Sequence, residues 1–285
     1  MRDGTARSGD FGHFPQLSLA RAGAVGHTRG MEHWLLVCAT LFAVSGGTWG
    51  MIAVHRGFRS RWTVAWMLGA LLCQFGFLGL RGQIRGACPV HDLGETLVFL
   101  AWALTLFYLL IGPAYRLSLL GVFTAPMVAG LQGGALLFGW LGPAPTWVGE
   151  VSQYHALHSA TSMLAYGALG LAAISGTMFL VLDHQLKDQV LRSGLFRSLP
   201  PVRTLLGSLE RLLWLGTGLL TVGIAAGFLM PRTTQAHTHT LVAMAVWACY
   251  AALLAVKSVR GLTGRKLALS AVGIFVLSLL VFASV

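Results

Sequence analysis

Eight separate stretches of this 285-residue chain are apolar over the roughly 20 residues that a helix needs to cross a bilayer, and that pattern restricts the possible folds more than any other feature. Backbone amides cannot be left unpaired in hydrocarbon, so each stretch is predicted to be a helix that closes its hydrogen bonds internally. The stretches run Trp34–Val54, Trp62–Leu80, Thr96–Gly112, Leu117–Trp140, His158–Leu182, Leu212–Met230, Leu241–Val256 and Leu267–Ser284. The expected fold class is therefore all-α: a polytopic membrane protein, a bundle of about eight transmembrane helices. Composition agrees, because 55% of residues are hydrophobic and 10% charged, with a mean hydropathy of +0.72. Soluble domains carry about 25% charged residues, and disordered chains are far less apolar.

Lipid and protein core are both apolar, so periodicity alone does not identify packing faces. Small residues do more. Gly167, Gly170, Ala173 and Gly176 in the fifth stretch, and Gly216, Gly223 and Gly227 in the sixth, are positions where helix backbones can approach closely. Pro126, inside the fourth, removes one backbone donor and predicts a kink.

The formal charge of +11 does not point to nucleic acid, because the 20 Lys and Arg sit in short clusters between apolar stretches. Counted by loop, thirteen fall in the first, third, fifth and seventh loops, and three (Arg81, Arg85, Arg232) in the second, fourth and sixth. The positive-inside rule then places the odd loops in the cytoplasm and both termini outside, in a multi-pass protein of the inner (plasma) membrane. Residues 1–30 carry Arg2, Arg7, Arg21 and Arg29 and run against this count. They are expected to be a disordered tail or a misassigned start, with Met31 as the true one, and residues 31–285 to form the eight-span membrane domain.

Cys38, Cys73, Cys88 and Cys249 are far apart and offer neither a CxxC pair nor a zinc spacing. Of the ten histidines, His91, His155, His158, His237 and His239 fall in or at the ends of the outer loops. Such a face suits neutral-imidazole ligation of a metal or haem iron, or it reflects no more than tolerance of histidine at an interface. His155 and His158, at i and i+3, share a helical face if the fifth helix starts early enough, whereas His237 and His239, at i and i+2, share a side only in an extended loop. No nearby carboxylate or Cys completes a zinc or copper site with them.

Asp92 and Glu95 open the third stretch with the spacing of an N-cap, which accounts for both carboxylates. Trp140, Trp147 and Tyr154 flank or occupy the fourth loop, as interfacial aromatics do, and could equally wall a porphyrin. No phosphate loop, nucleophile elbow, HExxH or CxxCH is present, so neither a hydrolase nor a nucleotide-driven pump is indicated, and no enzyme is expected. A small-solute transporter is disfavoured because no charge is expected well inside a span, Glu95 and Glu210 being near span ends in reach of water.

The run Cys88-Pro-Val-His-Asp-Leu-Gly-Glu-Thr-Leu-Val-Phe-Leu-Ala-Trp-Ala103 resembles the P-x-x-N-x-x-E-x-L-x-F-L-x-W stretch of CcsA/ResC-type cytochrome c assembly proteins, with Asp92 where Asn is usual. His158 to Tyr166 is similar to that family's H-V-x-x-x-x-x-S-Y helix start, with Ala165 in place of Ser. Leu199-Pro-Pro, Gly218–Gly227 and Trp247-Ala-Cys-Tyr250 follow in the family's order, so the resemblance covers about residues 31–285.

The resemblance implies a bundle that handles haem at the outer face for attachment to apocytochromes c, with external histidines as axial ligands and His158 as the first of them. Where the family's tryptophan-rich WGxxWxWD loop belongs, the chain has Met230 to Thr240, and the second external histidine is missing from Gly261 to Val285. That pattern is closer to the short HemX-like and YpjD-like branch. It implies one of two roles. In the first, the protein binds or presents haem at the outer face, with His158 and either His237 or His239 on the iron, and His155, Trp147 and Tyr154 around it. In the second, it is a HemX-like scaffold or regulator of haem metabolism that holds no haem and docks through its basic fifth loop. Haem, apocytochrome c or other assembly subunits, and the lipid bilayer are the expected partners, and nucleic acid is not.

Overall fold

The structure, a computed structural model, describes residues 14–56, 61–90, 92–112, 118–137, 141, 152–187, 202–230 and 236–284. These form eight helices and no strand: α1 (Phe14–His55), α2 (Trp62–Arg85), α3 (Leu93–Ile111), α4 (Ser118–Leu137), α5 (Gln153–Lys187), α6 (Val202–Phe228), α7 (Ala236–Arg260) and α8 (Gly264–Ser284). Among the described residues, seven of them, all but α8, contain a span long and apolar enough to cross a membrane. The eighth apolar run lies on the 21-residue α8. Leu41, Leu72, Phe75, Val222 and Leu280 face outward, as on a surface solvated by lipid tails.

Each apolar stretch coincides with a helix over most of its described residues; the third and sixth run past the ends of α3 and α6, Leu117 and residues 138–140 of the fourth lie outside the described residues, and several helices outrun their stretches. α2 continues from Leu80 to Arg85, α5 begins at Gln153 and ends at Lys187, α6 begins at Val202, and α7 begins at Ala236. Hydropathy marks the slab of lipid, whereas adding a residue to an existing helix costs little even where its side chain is polar. The same reasoning applies to α1, which extends back to Phe14, so that residues 14–30 of the tail expected to be disordered are helical. The fifth loop is shortened from both sides: Lys187, Arg203 and Arg211 lie on helices, while Arg192, Arg197, Pro200 and Pro201 lie outside the described residues.

The helices pack as two four-helix units. In the first, α1 lies against α2 and α4, and α3 against α2 and α4; in the second, α5 and α7 each lie against α6 and α8. The α3–α5 contact is the main joint between them. Glycines set the close approaches, as their spacing predicts. A Cβ at Gly167 would overlap the Ala103 side chain and lie 3.1 Å from its backbone carbon, so α5 meets α3 nearly backbone to backbone. On α6, a Cβ at Gly216 would stand 2.6 Å from Leu169 Cγ, and one at Gly223 would stand 2.8 Å from Ser162 Oγ. Gly170 and Gly176 face Phe275 and Ala268 of α8. Pro126 is accommodated inside α4 opposite Gly47 of α1.

These contacts also fix depth. Leu35 meets Gly76 and Phe42 meets Gly69, so α1 and α2 run antiparallel with Cys38 opposite Cys73. All four cysteines are free thiols. A membrane-permeant oxidant such as copper phenanthroline is expected to join Cys38 to Cys73, read as two thiols that resist alkylation after denaturation, with Cys249 remaining alkylatable. Oxidation that leaves all four alkylatable would contradict this register.

Candidate functional site

His158 lies in the second turn of α5, half-buried, at the same end of the bundle as the α2–α3 connection and the C-terminus of α6. Its Nδ1 stands 2.7 Å from the Gly223 carbonyl oxygen of α6. A carbonyl oxygen only accepts, so Nδ1 carries the proton and donates, and in the neutral ring Nε2 then holds the lone pair. Gly227, one turn further on, makes room for the ring, since a Cβ there would lie 3.1 Å from Nδ1. The short α5–α6 approach that glycine allows is therefore also what orients the imidazole.

Of the other residues singled out from the sequence, Tyr154 and His155 lie one turn before His158 and are exposed. The helix begins early enough for His155 and His158 to have the i, i+3 relation. His237 and His239 fall in the first turn of α7 rather than in an extended loop, because α7 starts five residues before the apolar run. Trp147 and His91 lie outside the described residues.

A second polar centre at the same end was not expected. Arg81, read as a loop residue, is inside α2 with its side chain 5% exposed. Its Nη1 is 2.7 Å from Glu95 Oε1 and 3.5 Å from Asp92 Oδ2, and its Nε is 3.2 Å from Glu32 Oε2. Arg85 Nη1 stands 3.9 Å from the other Glu95 oxygen. The Arg81 guanidinium also lies 5.4 Å from the centre of the Phe77 ring. Asp92 caps α3 as its position predicts, accepting from the Glu95 amide at 2.6 Å. Glu95, however, does not reach water: it is 1% exposed and neutralised by Arg81, so capping does not account for both carboxylates.

The charges lie at span ends, yet they are buried there, and a pure hydropathy count could not find that. Glu32 and Arg81 are 49 residues apart in sequence. In the structure each ends a buried stripe, Glu32 before Leu36, Ala39 and Ala43, and Arg81 after Gln74, Phe77 and Leu78. Beside this cluster, burial and then the Glu95 carboxylate push the Cys88 thiol up to about 11, with Arg85 acting in the opposite direction. At the far end of the second unit, Glu210 and Lys257 form a partly exposed pair at 3.6 Å, as expected for groups in reach of water.

The fold and this end of it define a multi-pass helical membrane protein with an oriented imidazole and a buried ion cluster at one rim. The chain belongs to the cytochrome c assembly protein family, whose model matches residues 90–285. Among curated relatives, it is 27% identical over 258 residues to the cytochrome c biogenesis protein CcsA of Microcystis aeruginosa, covering 73% of this chain and 79% of the relative. It is 29% identical to the CcsA protein of Thermosynechococcus vestitus, covering 71% and 76%, and 28% identical to that of Gloeobacter violaceus, covering 72% and 77%.

Proposed function

We propose that this protein serves cytochrome c assembly by holding haem, as cargo, at the outer rim of the membrane for transfer to apocytochrome c. The observation that carries the reading is the His158 Nδ1 bond to the Gly223 carbonyl at 2.7 Å. Iron takes a neutral imidazole nitrogen, and ligating histidines commonly donate their other ring N–H to a carbonyl or carboxylate, which fixes tautomer and ring direction. His158 meets that requirement through a bond made within the bundle.

His237 or His239 would supply a second ligand to the iron, since α6 ends at Phe228 and α7 begins at Ala236, which brings their backbone to the same rim. Tyr154 and His155 supply polar and aromatic surface beside it, and Trp147 belongs to the connection that precedes them. The chain ligates and orients, and makes or breaks no covalent bond itself. The rim is assigned to the outer side, with both termini there, on charge. The opposite ends of α5 to α8 carry Lys187, Arg203, Arg211, Lys257, Arg260, Arg265 and Lys266, and burial of Arg81 removes one of the few cations that counted against this orientation.

In the native host, His158→Ala is expected to lower haem-stained c-type cytochromes at least tenfold while the membrane level of the variant stays within twofold of wild type, and His155→Ala to leave them unchanged. Normal cytochrome levels in His158→Ala would favour the scaffold role instead.

A further inference from the structure

Two helical turns below the Arg81 cluster, the first unit contains a second polar layer. Gln74 of α2, Thr105 of α3 and Gln132 of α4 are all 0% exposed. The helix registers put them at similar depth. Leu35 opposite Gly76 places Gln74 level with residues 37–38 of α1, and Gly47 opposite Ala125 places Gln132 level with residues 39–40. That difference is about 3 Å at 1.5 Å per residue. None of the three side chains is charged, and small buried residues lie within about a turn of this depth: Ala39 of α1, Ala70 of α2 and Ala101 of α3.

Its hydrogen bonds do not close. The Thr105 hydroxyl donates to the Ala101 carbonyl at 2.8 Å, and Gln74 Nε2 reaches Thr105 Oγ1 only at 3.4 Å. Gln74 Oε1 and both amide atoms of Gln132 are buried without a protein partner. Three unpaired amide atoms at one depth in a membrane bundle are costly, because there is no solvent to satisfy them. They offer both donors and acceptors, which excludes a guest that only donates or only accepts, and the absence of charge at this depth disfavours an ion.

We propose that this layer is a built site for a small cluster of internal water, bridging Gln132 to Gln74 and so joining α4 to α2. Buried waters typically make about three hydrogen bonds to groups of this kind and fill space beside small side chains. Phe77 and Val98, both buried, lie between it and the Arg81 end. A water bridge can re-form after a shift of an ångström, so α4 can slide against α2 at this depth without losing its polar contacts.

The test is a high-resolution cryo-electron microscopy map of the full chain in lipid nanodiscs, with thermal midpoints of Gln74→Leu, Gln132→Leu and the double variant. Density of water size within hydrogen-bonding distance of both amides is expected. Each single variant should lower the midpoint by a few degrees, and the double variant by less than the sum, because either change breaks the same bridge. Amides found in direct contact with each other, density of a larger molecule, or single leucine variants that melt higher than wild type would each overturn the proposal.

Discussion

Arg81→Ala should be the most damaging single substitution at the rim, lowering stability by about 3–5 kcal/mol, because truncating one member of a buried ion pair removes the main counter-charge of the carboxylates that stay buried. Glu32 and Glu95 would both stay buried, and Arg85, among the described residues, stands 3.9 Å from Glu95. The measurement is the thermal midpoint of monodisperse protein in detergent, alongside the amount recovered from membranes. A triple variant, Arg81→Met with Glu32→Gln and Glu95→Gln, removes the charges on both sides and is expected to recover much of the loss. Arg85→Ala, at the edge of the cluster, should cost under about 1 kcal/mol, in line with a long, partly solvated pair. An Arg81→Ala protein that melts like wild type would mean that the cluster does not hold α1 to the α2–α3 corner.

The second large effect is expected at the joint between the units. A side chain at Gly167 meets Ala103 at its Cβ, Cα and carbonyl carbon, and backbone cannot rotate aside as a long side chain can. Gly167→Val should therefore push α5 away from α3, at a cost of about 1–3 kcal/mol or more for overpacking. Gly130, whose Cβ would meet nothing within 4 Å, provides the control: Gly130→Ala should be neutral or slightly stabilising within α4. Comparable losses at the two positions would show that the damage at Gly167 does not come from the close approach to Ala103.

The spans were legible because the bilayer imposes one length and one polarity on every crossing helix, and the glycines that bring α5 and α6 together were legible because few other residues permit that spacing. Helix ends were less legible. Gln153 to Leu157 and Val202 to Arg211 carry polar and charged residues that hydropathy assigns to loops, yet they continue helices already begun. The ion cluster was hidden for a different reason: Glu32, Arg81 and Glu95 each look like an ordinary interfacial charge, and only the packing of α1, α2 and α3 reveals that they face one another. His158 stood out by its place in the family pattern, but the Gly223 carbonyl that orients it is 65 residues away and carries no sequence signature.

If His158 presents Nε2 to haem iron, the absorption spectrum of the purified chain, produced with ample haem, depends on that imidazole. A Soret band is expected in the wild-type protein, lost in His158→Gly, restored by added imidazole that enters the vacated space, and retained in His155→Ala. A colourless wild-type protein, or a band that His158→Gly leaves unaltered, would mean that His158 does not ligate haem iron.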